Sequence, residues 1–336
     1  MEHVYDYLEF LAKAVTVVAG VIAVIGAAVS LSMRRNVGDS GRLEIRKLND
    51  VLEDMGRMLR QVTLPQAAFK RSIKQEDRAR KKADKNSRES DQRRRVYVVD
   101  FHGDLQASKV EQLRKEITAV LTTTRERDEV VVRIESPGGM VHGYGLAASQ
   151  LERVRARGIR LVAAVDKVAA SGGYLMASVA DHVIAAPFAL VGSIGVVAQI
   201  PNVHRLLKKH DVDVEVLTAG KYKRTLTVFG ENTEQGRAKF IEELEDVHAL
   251  FQEFVRTNRP QVSIEEIATG EAWYGRRALE HRLVDELSTS DAYLTRACED
   301  ADVYEIRWID HKNPIERVLA QFVEGVRGVF ARSGWI

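Results

Sequence analysis

The chain has 336 residues, 45% hydrophobic and 29% charged, with a net charge of +2 at pH 7. That length predicts about two domains, or one domain with appendages, and the composition excludes a collagen, a wholly disordered chain and a polytopic transporter. So even a charge balance carries no global polyelectrolyte signal for nucleic acid, and a single cysteine, Cys298, excludes an intramolecular disulfide framework and a cysteine-cluster metal site.

The chain opens on Glu2, Asp6 and Glu9 against one Lys13, and then runs uncharged for 20 residues, Ala14 to Met33. At about 1.5 Å per residue such a run matches the roughly 30 Å hydrocarbon core of a bilayer. A cleaved signal peptide has a basic leader and a shorter apolar stretch. Residues 1–35 are therefore read as a segment with an uncleaved single-pass anchor at 14–33, with a buried core helix as the alternative. Arg34, Arg35, Arg42, Arg46 and Lys47 follow closely, which by the positive-inside rule puts the bulk of the chain on the cytoplasmic side.

Within residues 36–64, Leu48, Leu52, Met55, Leu59 and Val62 recur at helical spacing and predict an amphipathic helix over 43–62, ending before Pro65. It could pair with a partner helix, lie along a membrane, or serve as a spacer. Residues 65–95 read as a basic tether: Lys70 to Arg95 holds twelve Lys or Arg against five Asp or Glu, with Ile73 the one large aliphatic. Such a stretch buries too little apolar area to offset ordering entropy. It could touch anionic lipid head groups; no aromatic residues interleave its charges for base stacking, which argues against nucleic acid.

A folded domain is expected over 96–311. Val96–Phe101 reads as a strand, Val110–Leu121 as a helix, and Val130–Ile134 as a strand apolar on both faces. A helix around Leu146–Val154, stopped by Gly158, and a strand at Ile159–Val165 continue an α/β alternation with right-handed crossovers. A strand at Val212–Leu217, a long amphipathic helix carrying Phe240, Leu244, Val247, Phe251 and Val255, a short helix opened by a Ser263/Glu266 capping box, and a strand at Val303–Ile309 complete the domain. Cys298 lies in a helical pattern with Leu294 and Ala297, where a small buried hydrophobe is the expectation.

The chemistry-bearing residues gather at expected strand ends. Ser136-Pro137-Gly138-Gly139 follows one strand, and glycines there let a ligand approach bare main chain whose N–H groups can stabilise an oxyanion. Ala170-Ser171-Gly172-Gly173 follows another and offers an accessible hydroxyl at the start of a helix, where an ordinary N-cap serine is the alternative. A nucleophilic hydroxyl needs a base. His142 and His182 are candidates, each also readable as structural. Lys221 and Lys223, in Gly220-Lys221-Tyr222-Lys223, could serve if desolvation lowers the lysine pKa; as ordinary solvent-facing lysines they would not. No His/Asp/Glu cluster has metal-ligand spacing.

Together with Val191-Gly192-Ser193-Ile194-Gly195-Val196, Thr269-Gly270-Glu271-Ala272-Trp273 and Leu283-Val284-Asp285-Glu286-Leu287, the set closely resembles the Ser–Lys membrane peptidases of the signal peptide peptidase A family (S49). The likeness runs from about Val96 to Leu287, and the anchor and charged segment look most like the family's single-domain inner-membrane branch. The resemblance implies a crotonase/ClpP-like stack of ββα units preceded by one N-terminal transmembrane helix. It makes Ser171 the nucleophile, Lys223 the base with Lys221 its rival, Ser193 the residue orienting the base, and Gly139 and Gly172 the oxyanion-hole donors, with Gly138 left open. It implies no cofactor, substrates such as signal-peptide remnants or other membrane-derived peptides, and a ring-shaped homo-oligomer whose sites are built from neighbouring chains. The family often has a small or acidic residue after the base and a proline soon beyond; here Arg224 follows and the next proline is Pro260. The resemblance favours a periplasmic domain, against the charges flanking the anchor. An acyl-CoA enzyme of crotonase-like fold and a non-catalytic membrane scaffold are the competing functions. The tail, residues 312–336, carries Ile315, Val318, Leu319, Phe322, Val326, Val329 and Phe330 on one helical face, suited to a membrane surface, a neighbouring subunit or domain packing.

Overall fold

In the computed structural model, which describes residues 41–87 and 93–310, the first element is a strand, Gly41–Lys47 (β1), leading directly into the helix Leu48–Thr63 (α1). The predicted amphipathic helix thus starts five residues late, because its first turn is spent as strand. Asn49 secures the junction: its amide donates to the carbonyls of Cys298 and Ala301, both at 3.0 Å, and accepts from the Val303 N–H at 2.8 Å. The expected basic tether is helical over Gln66–Ser87 (α2). Its Ala, Gln, Glu, Lys and Arg residues are strong helix formers, and Glu76 pairs with Arg60 of α1 at 2.5 Å, so a helix forms without a hydrophobic core of its own.

From Arg94 the alternation expected from the sequence is present. Arg94–His102 (β2) leads to Val110–Leu121 (α3), Glu129–Glu135 (β3) to Val141–Ala156 (α4), and Arg160–Val165 (β4) to a short strand, Val168–Ala170 (β5), then the helix Gly172–Ser178 (α5). His182–Ala185 (β6) and Leu190–Gly192 (β7) follow. After a long irregular stretch containing only His204–Lys209 (α6) come Glu234–Asn258 (α7), Ile264–Ile267 (α8), Ala272–Tyr274 (β8), Gly275–Glu280 (α9), Glu286–Leu287 (β9), Ser290–Asp300 (α10) and Ala301–Asp310 (β10).

The strands make two sheets. The larger has the order β1-β10-β2-β3-β4-β6-β9, and the pairings from β10 to β9 are parallel. Its central strands are predominantly apolar because both faces are covered: Val96, Val98, Val131, Val162 and Ile184 pack with Tyr293, Leu294 and Ala297 of α10. The smaller sheet has the order β5-β7-β8, parallel then antiparallel. A bridge between Ser136 and Ala169 links the end of β3 to β5.

Glu44–Arg307 forms one compact unit; among the described residues outside it, the Trp308 indole donates to Asp310 at 2.8 Å. The apolar run at 14–33 and the tail beyond Asp310 lie outside the described residues; among those described, no helix is long and apolar enough to cross a membrane. Two expectations fail within the domain. Val212–Leu217 is irregular and exposed rather than a strand, since β propensity is realised only where another strand supplies the ladder, and none among the described residues does so there. Ser263 precedes α8 but makes no side-chain cap; the Glu266 N–H is satisfied by the Ser263 carbonyl instead.

Candidate active site

Three strand ends converge on Ser171. Beyond β3, the Ser136 N–H donates to the Val168 carbonyl at 2.8 Å and the Ala170 N–H returns to the Ser136 carbonyl at 3.0 Å, so the Pro-Gly-Gly turn is stitched to β5. At the end of β5 the Ser171 N–H donates to the Gly192 carbonyl at 2.7 Å, which anchors it to β7. Held from both sides, Ser171 adopts φ 51° and ψ −119°, a conformation that L-residues seldom occupy and that neighbouring structure must impose. It precedes α5 without capping it, and its hydroxyl makes no hydrogen bond within the described chain.

The turn lies directly against this serine. Gly138 has φ +92°, and a Cβ there would sit 2.6 Å from Ser171 Cβ and 2.9 Å from the Gly172 nitrogen. A Cβ on Gly172 would sit 2.3 Å from the Tyr144 ring. Only hydrogen fits at either position, so the two peptide walls close to within van der Waals contact. The Gly138 N–H donates to Ser136 Oγ at 3.1 Å, which removes it from the set of available donors. The N–H groups of Gly139 and Gly172 have no acceptor within the described chain, and both residues line the same cavity as Ser171.

Ser171 opens into a cavity of about 360 Å³ whose walls are Val141 and Leu175 on one side and Val247, Leu250, Phe251 and Phe254 of α7 on the other. The apolar face of α7, predicted as a long amphipathic helix, thus forms a wall of this cavity. Beneath it Arg259, fully buried, grips Asp285 through two hydrogen bonds of 2.8 Å, and the Tyr174 hydroxyl donates to the Leu283 carbonyl at 2.9 Å. Burial raises the Asp285 carboxyl, but the Arg259 hydrogen bonds and the Val183 N–H outweigh it and hold the group below its ordinary value. Burial also pushes the Tyr174 hydroxyl far up, so it stays protonated.

The remaining predicted residues are placed less closely. Ser193 follows the Gly192 that anchors Ser171; it also has positive φ, at 54°, and its Oγ is 3.4 Å from the Gly270 carbonyl. Lys223 is exposed in the irregular stretch between α6 and α7, and its ammonium forms no hydrogen bond to Ser171 or Ser193. Lys221 is exposed as well, 4.9 Å from the centre of the Tyr222 ring, which Lys239 of α7 approaches at 5.4 Å. His142 is exposed beside the turn, and His182 contacts Glu286 at 3.2 Å at the opposite ends of the strands. Cys298 is partly buried in α10, and burial raises its thiol pKa, as for an inert small hydrophobe. Among the described residues no group of three His, Cys, Asp or Glu side chains is placed to hold a metal ion.

Comparison with known proteins gives two family models that together span most of the chain: "Peptidase family S49 N-terminal" over residues 2–151 and "Peptidase family S49" over residues 153–304. A "Probable protease SohB" of Haemophilus influenzae is 46% identical over 97% of this chain and 95% of its own length. Another, of Buchnera aphidicola from Acyrthosiphon pisum, is 52% identical over 68% of each chain. The "Serine protease SPPA, chloroplastic" of Arabidopsis thaliana is 29% identical over 57% of this chain and 29% of its own length.

Proposed function

This chain belongs to peptidase family S49, with relatives named as SohB proteases, and on that basis we propose that it is a membrane-anchored serine endopeptidase with Ser171 as nucleophile and Lys223 as base. The observation that carries the reading is the setting of Ser171: a free hydroxyl on a constrained backbone, lining an apolar cavity together with Gly139 and Gly172, whose peptide N–H groups are unengaged.

The neutral Lys223 amine takes the Ser171 proton as the hydroxyl oxygen attacks a peptide carbonyl. The Gly139 and Gly172 N–H groups stabilise the tetrahedral oxyanion. The amine of the departing fragment leaves with that proton, and an acyl-enzyme remains. Water, deprotonated by the same lysine, releases the acyl fragment and restores Ser171. Ser193, one residue from the peptide that anchors the nucleophile, orients the base.

Lysine acts as a base only when removed from water, whereas Lys223 in the single chain is exposed. We assign its desolvation to assembly. Val212, Val214, Val216, Leu217 and Phe229, from the same irregular stretch, are exposed apolar residues suited to a neighbouring copy in a ring-shaped homo-oligomer, which would bury the lysine beside a serine. The ββα order of β4, β5 and α5 fits the crotonase-like stack. Apolar side chains of membrane-derived peptides, signal-peptide remnants among them, suit the α7-lined cavity, and residues 14–33 supply a single-pass anchor in a bacterial inner membrane. Fusion of a side-specific reporter to the C-terminus distinguishes a periplasmic from a cytoplasmic domain.

Labelling by a serine-reactive fluorophosphonate, together with peptide hydrolysis, tests the assignment. Ser171→Ala should lose both labelling and hydrolysis, and Lys223→Ala should lose hydrolysis, without unfolding either variant. Hydrolysis within about tenfold of wild type in either one sinks the dyad, on the scale of losing even a single oxyanion donor.

A further inference from the structure

We propose that Ser136 and Tyr144 are positioning residues that set the oxyanion hole, through a one-way chain of hydroxyl groups that engages one peptide N–H of the Pro-Gly-Gly turn and leaves the next one free. The inference rests on the Ser171 peptidase reading and adds to it two residues in the wall behind the nucleophile.

The direction of the chain follows from counting hydrogens. A tyrosine hydroxyl has one, and that of Tyr144 is donated to the Asp104 carbonyl at 2.8 Å. In the 2.5 Å contact between Tyr144 Oη and Ser136 Oγ, the serine must therefore be the donor. Its lone pairs remain to accept the Gly138 N–H at 3.1 Å. The sequence is thus Gly138 N–H to Ser136 Oγ, Ser136 O–H to Tyr144 Oη, and Tyr144 O–H to the Asp104 carbonyl. Chains of this kind polarise and reinforce one another in a low-dielectric interior.

The surroundings are closed. Ser136 and Tyr144 are both fully buried. A Cβ on Gly103 would sit 2.3 Å from Tyr144 Oη and 2.4 Å from Ser136 Oγ, so no water fits between the hydroxyls and that peptide. On the far side of Gly139, the Met140 N–H donates to the Leu105 carbonyl at 2.8 Å. With Gly138 and Met140 both engaged, Gly139 is the member of the turn whose N–H stays available.

Tyr144 also touches the second donor. Its ring lies under Gly172, at the distance that excludes a Cβ there, and meets Phe101 edge-on with centroids 6.0 Å apart. One side chain thereby supports both walls of the hole. A phenylalanine would fill the same volume, and an alanine at position 136 would leave the turn room to close. What the hydroxyls add is orientation of the Gly138 peptide. Without it, that N–H is a buried donor with no acceptor and the turn is free to rotate it toward the substrate oxygen, displacing the Gly139 N–H.

The test uses the full chain in detergent, with Tyr144→Phe, Ser136→Ala and the double variant. Each preparation is titrated with a fluorophosphonate, so that kcat is expressed per reactive Ser171. Each is then assayed with an apolar peptide substrate and with the matching peptide aldehyde, whose adduct with the serine places an oxyanion in the hole. We expect kcat per labelled site to fall about tenfold in either single variant, a fraction of the 10²–10³ lost with an entire donor, with KM within about twofold. The aldehyde inhibition constant should weaken by the same factor as kcat/KM. The double variant should be no worse than the poorer single one, because both substitutions break one chain; it also orphans fewer hydroxyl partners and serves if a single variant does not fold. Wild-type kcat and aldehyde affinity per labelled site, or losses in the two variants that multiply, would overturn the inference. A wild-type chain that neither labels nor cleaves peptide overturns the peptidase reading, and this inference with it; a reactive wild type with unaffected variants overturns this inference only.

Discussion

The Ser171 N–H donates to the Gly192 carbonyl at 2.7 Å, so the residue before Ser193 holds the backbone of the proposed nucleophile. Two segments separated by some twenty residues in sequence become one structural unit at the end of β5 and β7. Both Ser171 and Ser193 take positive φ, at 51° and 54°. Strain of this kind persists only where surrounding structure imposes it, and here a turn, a small sheet and a short helix all do so.

Gly138→Ala is expected to inactivate the enzyme. The residue has φ +92°, and its new Cβ would fall 2.6 Å from that of Ser171, so the turn must back away and take the Gly139 N–H with it. Hydrolysis should fall by roughly 10² or more, with the domain still folded by circular dichroism and thermal melting. Activity near wild type would mean that the turn does not form the oxyanion hole.

Lys221→Ala separates the two candidate bases. Lys221 leans on the Tyr222 ring at 4.9 Å, a contact worth about 0.5–1 kcal/mol at an exposed site. Its loss should leave hydrolysis within a few-fold of wild type, while Lys223→Ala abolishes it. The reverse pattern in a peptide assay would exchange their roles.

Phe254→Ala should change selectivity more than rate. The ring forms part of the α7 wall of the cavity, and pocket contacts of this size discriminate by about 1–3 kcal/mol. We expect kcat/KM for peptides with small apolar side chains to drop and that for bulky ones to be retained or to rise. A peptide library profiled against both proteins checks this; an unchanged profile would remove the cavity from substrate recognition.

Arg259→Ala should destabilise the domain, on the order of 3 kcal/mol, because it takes the guanidinium partner from the part-buried Asp285 carboxylate, leaving it only the Val183 N–H and the more distant His182. The same pair predicts acid sensitivity. The Asp285 carboxyl lies below its ordinary value in the folded chain. Its contribution is therefore complete above the unfolded-state pKa and lost as pH falls through the folded one. Denaturant midpoints measured from neutral to acidic pH should decline for wild type and be flatter for Arg259→Ala.

Much of this was legible in the residues. The buried runs at Val96–Phe101 and Val130–Ile134, and the helical spacing at 110–121, carry their periodicity openly and became β2, β3 and α3. The glycine turns after β3 and β5 marked the positions where main chain meets main chain. Other parts were hidden. β1 reads as part of a helix because its Leu43 and Ile45 are few and its pairing partner lies some 250 residues away. The charged run from Gln66 concealed α2, since composition reports what cannot form a core, and helix propensity needs none. Tyr144 carried no signal of its own in the sequence; its hydrogen bonds to Ser136 and Asp104 exist because the fold brings those residues to it. The Val212–Leu217 run has the alternation of a strand, yet it pairs with no strand among the described residues.

That last segment is chemically selective about what it can join. Asp211, Asp213 and Glu215 alternate with Val212, Val214 and Val216, and all are exposed. If identical copies stacked in parallel register, each carboxylate would face its own counterpart, and like charges directly opposite on a sheet are destabilising. The acidic residues would thus oppose amyloid-like growth, while a strand of other sequence that sets basic residues opposite them meets no such barrier.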